Sequence, residues 1–202
     1  MVNIAVFVSG GGTNLQALID AQAAGKLHSG AIKLVLASNS EAYALERAKQ
    51  AGIPTAVCSR KALGSQEAFE AAISGELTRY KIDLIVLAGF MSILSAEFTK
   101  QWPERILNVH PSLIPSFCGK GFYGLRVHEA ALSYGVKVTG ATVHFVNEIP
   151  DGGRIIAQKA VEIVDGDTPE TLQKRVMEQA EWILLPQAVE RVSAQLEKER
   201  GI

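Results

Sequence analysis

Asn108 and His110 stand two residues apart in the stretch Arg105-Ile106-Leu107-Asn108-Val109-His110-Pro111-Ser112-Leu113-Ile114-Pro115. At the end of a strand that spacing points both side chains the same way. An imidazole exchanges protons near neutral pH, and a carboxamide can donate to a developing oxyanion. Asp151 opens the turn Asp151-Gly152-Gly153, where a carboxylate is free to project into a cleft. Beside His110 it would favour the imidazolium form of the ring. Taken singly, His110 reads as well as a structural histidine, and Asp151 as an ordinary turn residue.

A second constellation lies near the start of the chain, in Ser9-Gly10-Gly11-Gly12-Thr13-Asn14. Glycines between a first strand and a first helix let backbone N–H groups approach an anion, and the helix start adds partial positive charge. Thr13 and Asn14 add side-chain donors. The dinucleotide fingerprint is incomplete, because Leu15 stands where its third glycine belongs, and no Lys follows to make a Walker loop. The pattern points to a monophosphate site, the alternative being a tight turn capped by Asn14. His128 and His144 lack a ligand spacing with His110, and Cys58 and Cys118 are far apart, so no metal is expected.

These residues need a frame. Asn3–Val8 and Ile32–Ala37 are short apolar runs, each followed by helical spacing, over Leu15–Ala23 and Ala42–Gln50. Thr55–Cys58 makes a third strand and Gln66–Tyr80 a longer helix. Asp83–Ala88 is apolar on both faces, as a central parallel strand should be. Ile106–Val109 then runs into His110. This alternation predicts an α/β fold, a Rossmann-like open sheet parallel in its N-terminal half. Lys137–Asn147 and Arg154–Ile163 alternate around Pro150-Asp151-Gly152-Gly153, which predicts antiparallel strands added in the C-terminal half. A long C-terminal helix is expected from Thr168 to about Glu199, started by Pro169 and bent at Pro186. No repeat or linker divides the chain, so 1–202 reads as a single domain.

Composition narrows the class. The chain has 202 residues, 48% hydrophobic and 20% charged, with a formal net charge of −1. It can bury roughly 70% of its unfolded surface without disulfide or metal. Balanced charge argues against a nucleic-acid partner, and apolar runs stop short of the ~20 residues a membrane helix needs. With two cysteines and a poor signal-peptide pattern, a cytoplasmic protein with reduced thiols is expected.

With these residues assembled, the sequence resembles the folate-dependent phosphoribosylglycinamide formyltransferase family of purine synthesis. The resemblance runs over nearly the whole chain. It rests on Gly12-Thr13-Asn14, Leu87-Ala88-Gly89-Phe90-Met91, Asn108-Val109-His110-Pro111 through Pro115, Thr142-Val143-His144-Phe145-Val146 and Asp151-Gly152-Gly153. It implies transfer of a formyl group from 10-formyltetrahydrofolate to the amine of N1-(5-phosphoribosyl)glycinamide, with no metal. Asn108, His110 and Asp151 would be catalytic. Gly12, Thr13, Asn14 and Glu181 would bind the phosphoribosyl substrate. Met91, Ser92, Ile93, Leu94 and Gln66, with Asn108, Asn147 and Asp151, would bind the folate. Residues 1–104 would then form the phosphate-binding half, and 105–202 the catalytic and folate-binding half.

Two positions depart from the family, which often has arginine at Ser92 and a basic residue at Gln66; weaker, less salt-sensitive folate binding is expected. The segment Phe117–Val127 reads as a longer, glycine-rich mobile loop, with Lys120 or Arg126 as replacement charge. The partners implied are small molecules, not nucleic acid or membrane, for a monomer or homodimer. Competing readings are a formyltetrahydrofolate deformylase, another folate-dependent formyltransferase such as the methionyl-tRNA enzyme, and a non-catalytic phosphate-binding module. The deformylase usually carries a preceding regulatory domain, and the tRNA enzyme an added basic domain, which a chain running from a first strand at Asn3 to Ile202 would lack.

Overall fold

Residues 1–201 are described by the structure, a computed structural model. Seven strands form one sheet: β1 Val2–Val8, β2 Gly30–Ala37, β3 Thr55–Val57, β4 Leu84–Leu87, β5 Ile106–His110, β6 Val138–Phe145 and β7 Ile155–Glu162. Their order is β3-β2-β1-β4-β5-β6-β7. The first five are parallel, and β6 and β7 run antiparallel, as the change from continuous apolar runs to alternation predicts.

Period-two geometry makes β1 serve two cores at once. Val2, Ile4, Val6 and Val8 face one side, with Leu15 and Leu18 of α1 (Thr13–Ala23) and Leu185 and Val189 of α8 (Trp182–Glu199). Ala5 and Phe7 face the other, with Phe69, Ile73 and Leu77 of α4 (Gln66–Arg79) and Phe98 of α5 (Ala96–Lys100). Each fully buried side chain of this size contributes about 1.5–3 kcal/mol. Helix starts are fixed by hydroxyls: Ser65 caps α4, Ser95 caps α5, and Ser59 caps the single turn α3 (Arg60–Leu63).

Two features differ from expectation. The strand following His110 is reached through a helix, α6 (Leu125–Tyr134), that the glycines around it hide in the sequence. The long C-terminal helix is interrupted before Pro186, not at it. After α7 (Pro169–Val176), residues Met177–Glu181 form a π turn in which the Trp182 N–H reaches back five residues to the Met177 carbonyl. Pro186 lies buried within α8. It has no N–H to give to the preceding turn, so that turn already lacks a bond that would resist widening.

Strand register brings the ends of the parallel strands level. Phe7 pairs with Leu87, and Leu87 with Asn108. On the antiparallel side Asn108 pairs with His144, and His110 with Thr142.

Candidate active site

Asn108 and His110 are the third and last residues of β5, at the carboxyl edge of the parallel strands, where such sheets present their crevice. The reversal at β6 places His144 opposite Asn108, with Asn108 Nδ2 3.3 Å from His144 Nε2. Asp151 sits in the connection between β6 and β7, in the left-handed region at φ 55°. Its carboxylate lies 3.6 Å from His110 Nδ1 and 3.5 Å from His144 Nε2, so one acid faces both imidazoles. Both contacts are longer than a direct hydrogen bond. The Gly119 N–H donates to the same carboxylate at 2.8 Å.

The outer nitrogen of His110, Nε2, is 2.9 Å from the Phe117 carbonyl. A carbonyl only accepts, so Nε2 is the nitrogen that carries a hydrogen in this contact, while Nδ1 faces the Asp151 carboxylate. The segment 117–119 therefore holds both His110 and Asp151 through its backbone; in this structure it is part of the site's wall. Burial works against ionisation of Asp151. The His144 contact, the Gly119 N–H and the two imidazoles outweigh it, holding this carboxyl below the ordinary carboxylate range. His128 on α6 is fully buried with neither ring nitrogen hydrogen-bonded. Burial, then the neighbouring His110, push it down to about 4, so it is neutral near pH 7. Burial and then Asp151 push the Cys118 thiol up, away from a reactive thiolate.

Thr142 anchors the proline-bounded loop that leaves His110. Its hydroxyl donates to the Ser112 carbonyl at 2.7 Å and accepts from the Ile114 N–H and the Gln158 amide. Downstream, the glycines at 152 and 153 are required by space: a Cβ on Gly153 would overlap the Phe145 carbonyl oxygen, and one on Gly152 would lie 2.6 Å from Ile149 Cγ2.

The glycine loop leaves β1 at the same sheet edge. Gly12 adopts φ 72°, and α1 begins at Thr13. Asn14 donates to Glu181 at 2.7 Å, joining the first helix to the end of the π turn 167 residues away. Glu181 is buried, and burial raises its carboxyl against the lowering effect of that bond. Thr13 approaches Met177 of the same turn.

Between these groups lies the segment 91–95 after β4. The Met91 N–H donates to Ser9 Oγ at 2.9 Å, tying this segment to the glycine loop. Met91 and Ile93 are 58% and 75% exposed, while Leu94 packs against the core. The N–H groups of Ser92 and Leu94 meet no acceptor among the described residues. Gln66 donates to Glu70 at 2.6 Å and to the Ile93 carbonyl at 3.1 Å, so its amide is engaged in bracing this segment. Asn147 accepts from the Ile149 N–H in a turn leading to Asp151. Arg126 stacks on Tyr123, and Lys120 is exposed on the loop.

Asn108, His110 and Asp151 are thus brought together, as are Gly12–Asn14 with Glu181. His144, which faces both Asn108 and Asp151, is a group whose place in the site the sequence alone does not reveal. The signal was present in Thr142-Val143-His144, an alternation that puts Thr142 and His144 on one face, but the partner strand supplies its meaning. Among the described residues, no group of three or more His, Cys, Asp or Glu is arranged to hold a metal ion, and no helix is long and apolar enough to cross a membrane.

Residues 2–189 match the family model described as formyl transferase. The trifunctional purine biosynthetic protein adenosine-3 of Gallus gallus is 46% identical over 96% of this chain, which spans only 18% of that protein. The phosphoribosylglycinamide formyltransferase of Escherichia coli is 41% identical over 88% of this chain and 81% of its own length. Among solved structures, glycinamide ribonucleotide transformylase 1 from Symbiobacterium toebii superposes with a TM-score of 0.89 at 40% identity, covering 96% of this chain and 89% of that one. On fold and sequence alike, the chain belongs to the formyl transferase family, among relatives named phosphoribosylglycinamide formyltransferases.

Proposed function

We propose that this protein transfers the formyl group of 10-formyltetrahydrofolate to the amine of N1-(5-phosphoribosyl)glycinamide. The observation that carries the reading is the contact of Asp151 with His110 and His144, beside Asn108, at the edge of the sheet from which the glycine loop also leaves. The neutral amine attacks the formyl carbon, a C–N bond forms, and the carbonyl electron pair moves to oxygen. The Asn108 amide and an imidazolium at His110 suit that oxygen; one such donor is typically worth ~3 kcal/mol. Asp151 faces Nδ1 of that ring and orients it. Collapse breaks the bond to the folate nitrogen, which receives the proton lost by the attacking amine, carried by His110 or a water. No enzyme-bound acyl group is needed, so Cys118 has no part in the reaction.

Gly12, Thr13 and Asn14 take the phosphate, and Glu181 the ribose or glycinamide end. The exposed Met91 and Ile93 side chains and the unpaired N–H groups of Ser92 and Leu94 fit a flat heterocycle with hydrogen-bonding edges. Asn147 to Asp151 close the other side of that pocket.

The test follows absorbance at the folate band with 10-formyltetrahydrofolate, with and without the amine substrate, for wild type and His110→Ala. Folate release that needs the amine and falls by at least ~100-fold in the variant is expected. Release without the amine would identify a deformylase, and no release in either case would leave a phosphate-binding module.

A further inference from the structure

Helix α2 (Ala44–Gln50) packs directly behind the glycine loop. A Cβ on Gly12 would stand 2.6 Å from Ala44 Cβ, so nothing larger than hydrogen fits between them. From this helix two donors reach two successive carbonyls of the loop. The Ala44 N–H donates to the Gly10 carbonyl at 3.1 Å, and Arg47 Nε to the Gly11 carbonyl at 2.8 Å. Both peptide units are trans, so the carbonyl of one residue and the N–H of the next point in opposite directions. Drawing the Gly10 and Gly11 carbonyls toward α2 turns the N–H groups of Gly11 and Gly12 away from it. Neither of those N–H groups has an acceptor among the described residues. Successive N–H groups turned to one side make an anion-binding concavity.

Arg47 is held for this task from three directions. Nε bonds Gly11, Nη1 donates to Gln16 Oε1 at 3.0 Å, and the guanidinium stacks 5.2 Å from the Tyr43 ring centroid. Among the described residues, no other Lys or Arg side chain hydrogen-bonds to residues 9–14. Its charge is half-buried against the loop, where it is screened less than a fully exposed cation.

We infer that Arg47 is a positioning residue for the substrate phosphate: it fixes the Gly11 peptide so that the Gly12 N–H faces the anion, and it places a positive charge behind the loop. This rests on the reading of the loop as the phosphate site. Arg47 acts on binding of the phosphate end, so its loss spares the chemistry at His110.

The experiment measures kcat and KM for Arg47→Met and Arg47→Lys with the phosphorylated amine substrate and with its dephosphorylated riboside. Thr13→Val and Asn14→Ala are carried alongside, and folding is checked by thermal melting. For Arg47→Met, KM for the phosphorylated substrate should rise about tenfold with kcat within about twofold, the size of one charge-assisted contact. KM for the riboside should not move, and Arg47→Lys should recover part of the loss by restoring the charge. Equal losses on both substrates would overturn the inference, since a merely structural arginine cannot distinguish them. An unchanged KM in Arg47→Met while Thr13→Val and Asn14→Ala raise it would also overturn it, leaving the loop as the phosphate site. If none of the variants changes KM for the phosphorylated substrate, the phosphate binds elsewhere and both readings fall.

Discussion

Asn14 Nδ2 lies 2.7 Å from Glu181 Oε2, and that bond sews the first helix to the π turn that opens the last one. The acceptor is a buried carboxyl whose ionisation burial disfavours. In the folded protein it titrates above the ordinary glutamate value of about 4.3. Below that value both folded and unfolded chains carry the proton, and the buried acid costs nothing extra. As pH rises the unfolded chain ionises first, so stability is lost up to the folded value.

Glu181→Gln keeps an acceptor for Asn14 and removes the titration. Its melting temperature should therefore rise relative to wild type as pH goes from 4 to 8. A constant difference across that range would show that Glu181 does not titrate on unfolding.

His144 bridges Asn108 and Asp151. His144→Ala should lower kcat roughly tenfold, the equivalent of one ~1.4 kcal/mol contact in the transition state. It should also move the acid limb of the pH–rate profile upward, because the carboxyl of Asp151 loses an interaction that holds it low. A reduced kcat with an unmoved acid limb would assign His144 to packing alone.

Gly153 admits the Phe145 carbonyl where any side chain would collide. Gly153→Ala should cost about 3 kcal/mol, as overpacking does, and lower the melting temperature by roughly 6–12 °C. Because Asp151 lies two residues away, kcat should fall in the protein that still folds. A melting temperature within a degree of wild type would refute the steric account.

Gln66 stands beside Glu70 and the Ile93 carbonyl. A cation there would add a screened attraction for an acidic folate tail. In Gln66→Arg, KM for 10-formyltetrahydrofolate should fall at low salt and depend more steeply on salt than in wild type. Parallel salt slopes would show that this position does not face the tail.

Much of the frame was legible because the strands carry their own signal. Asn3–Val8 and Asp83–Ala88 are continuous apolar runs, and the sequence around Ala141 alternates, so strand type and burial follow from local pattern. Asn108 and His110 could be paired from spacing within one strand. His144 could not, because its role comes from the register Asn108–His144, which the intervening loop and α6 set at long range. The π turn is silent in the sequence because one extra residue leaves the apolar pattern of a long helix almost intact, whereas the nearby proline is the stronger local signal for a bend. Arg47 resembles any cation on a helix face until the packing of Ala44 on Gly12 shows what lies beneath it.

The alignment of Phe7, Leu87 and Asn108 across three neighbouring strands makes the sheet a ruler. The glycine loop and His110 leave the same edge from strands two places apart, which fixes their lateral spacing at about 10 Å. The interval between those two strand ends is set by the hydrogen-bonded strand between them and not by any loop. On the proposed function, a ligand anchored by its anion at one mark would present its nucleophile at the other only if its own length agrees, so the fold would measure substrates before any pocket side chain inspects them.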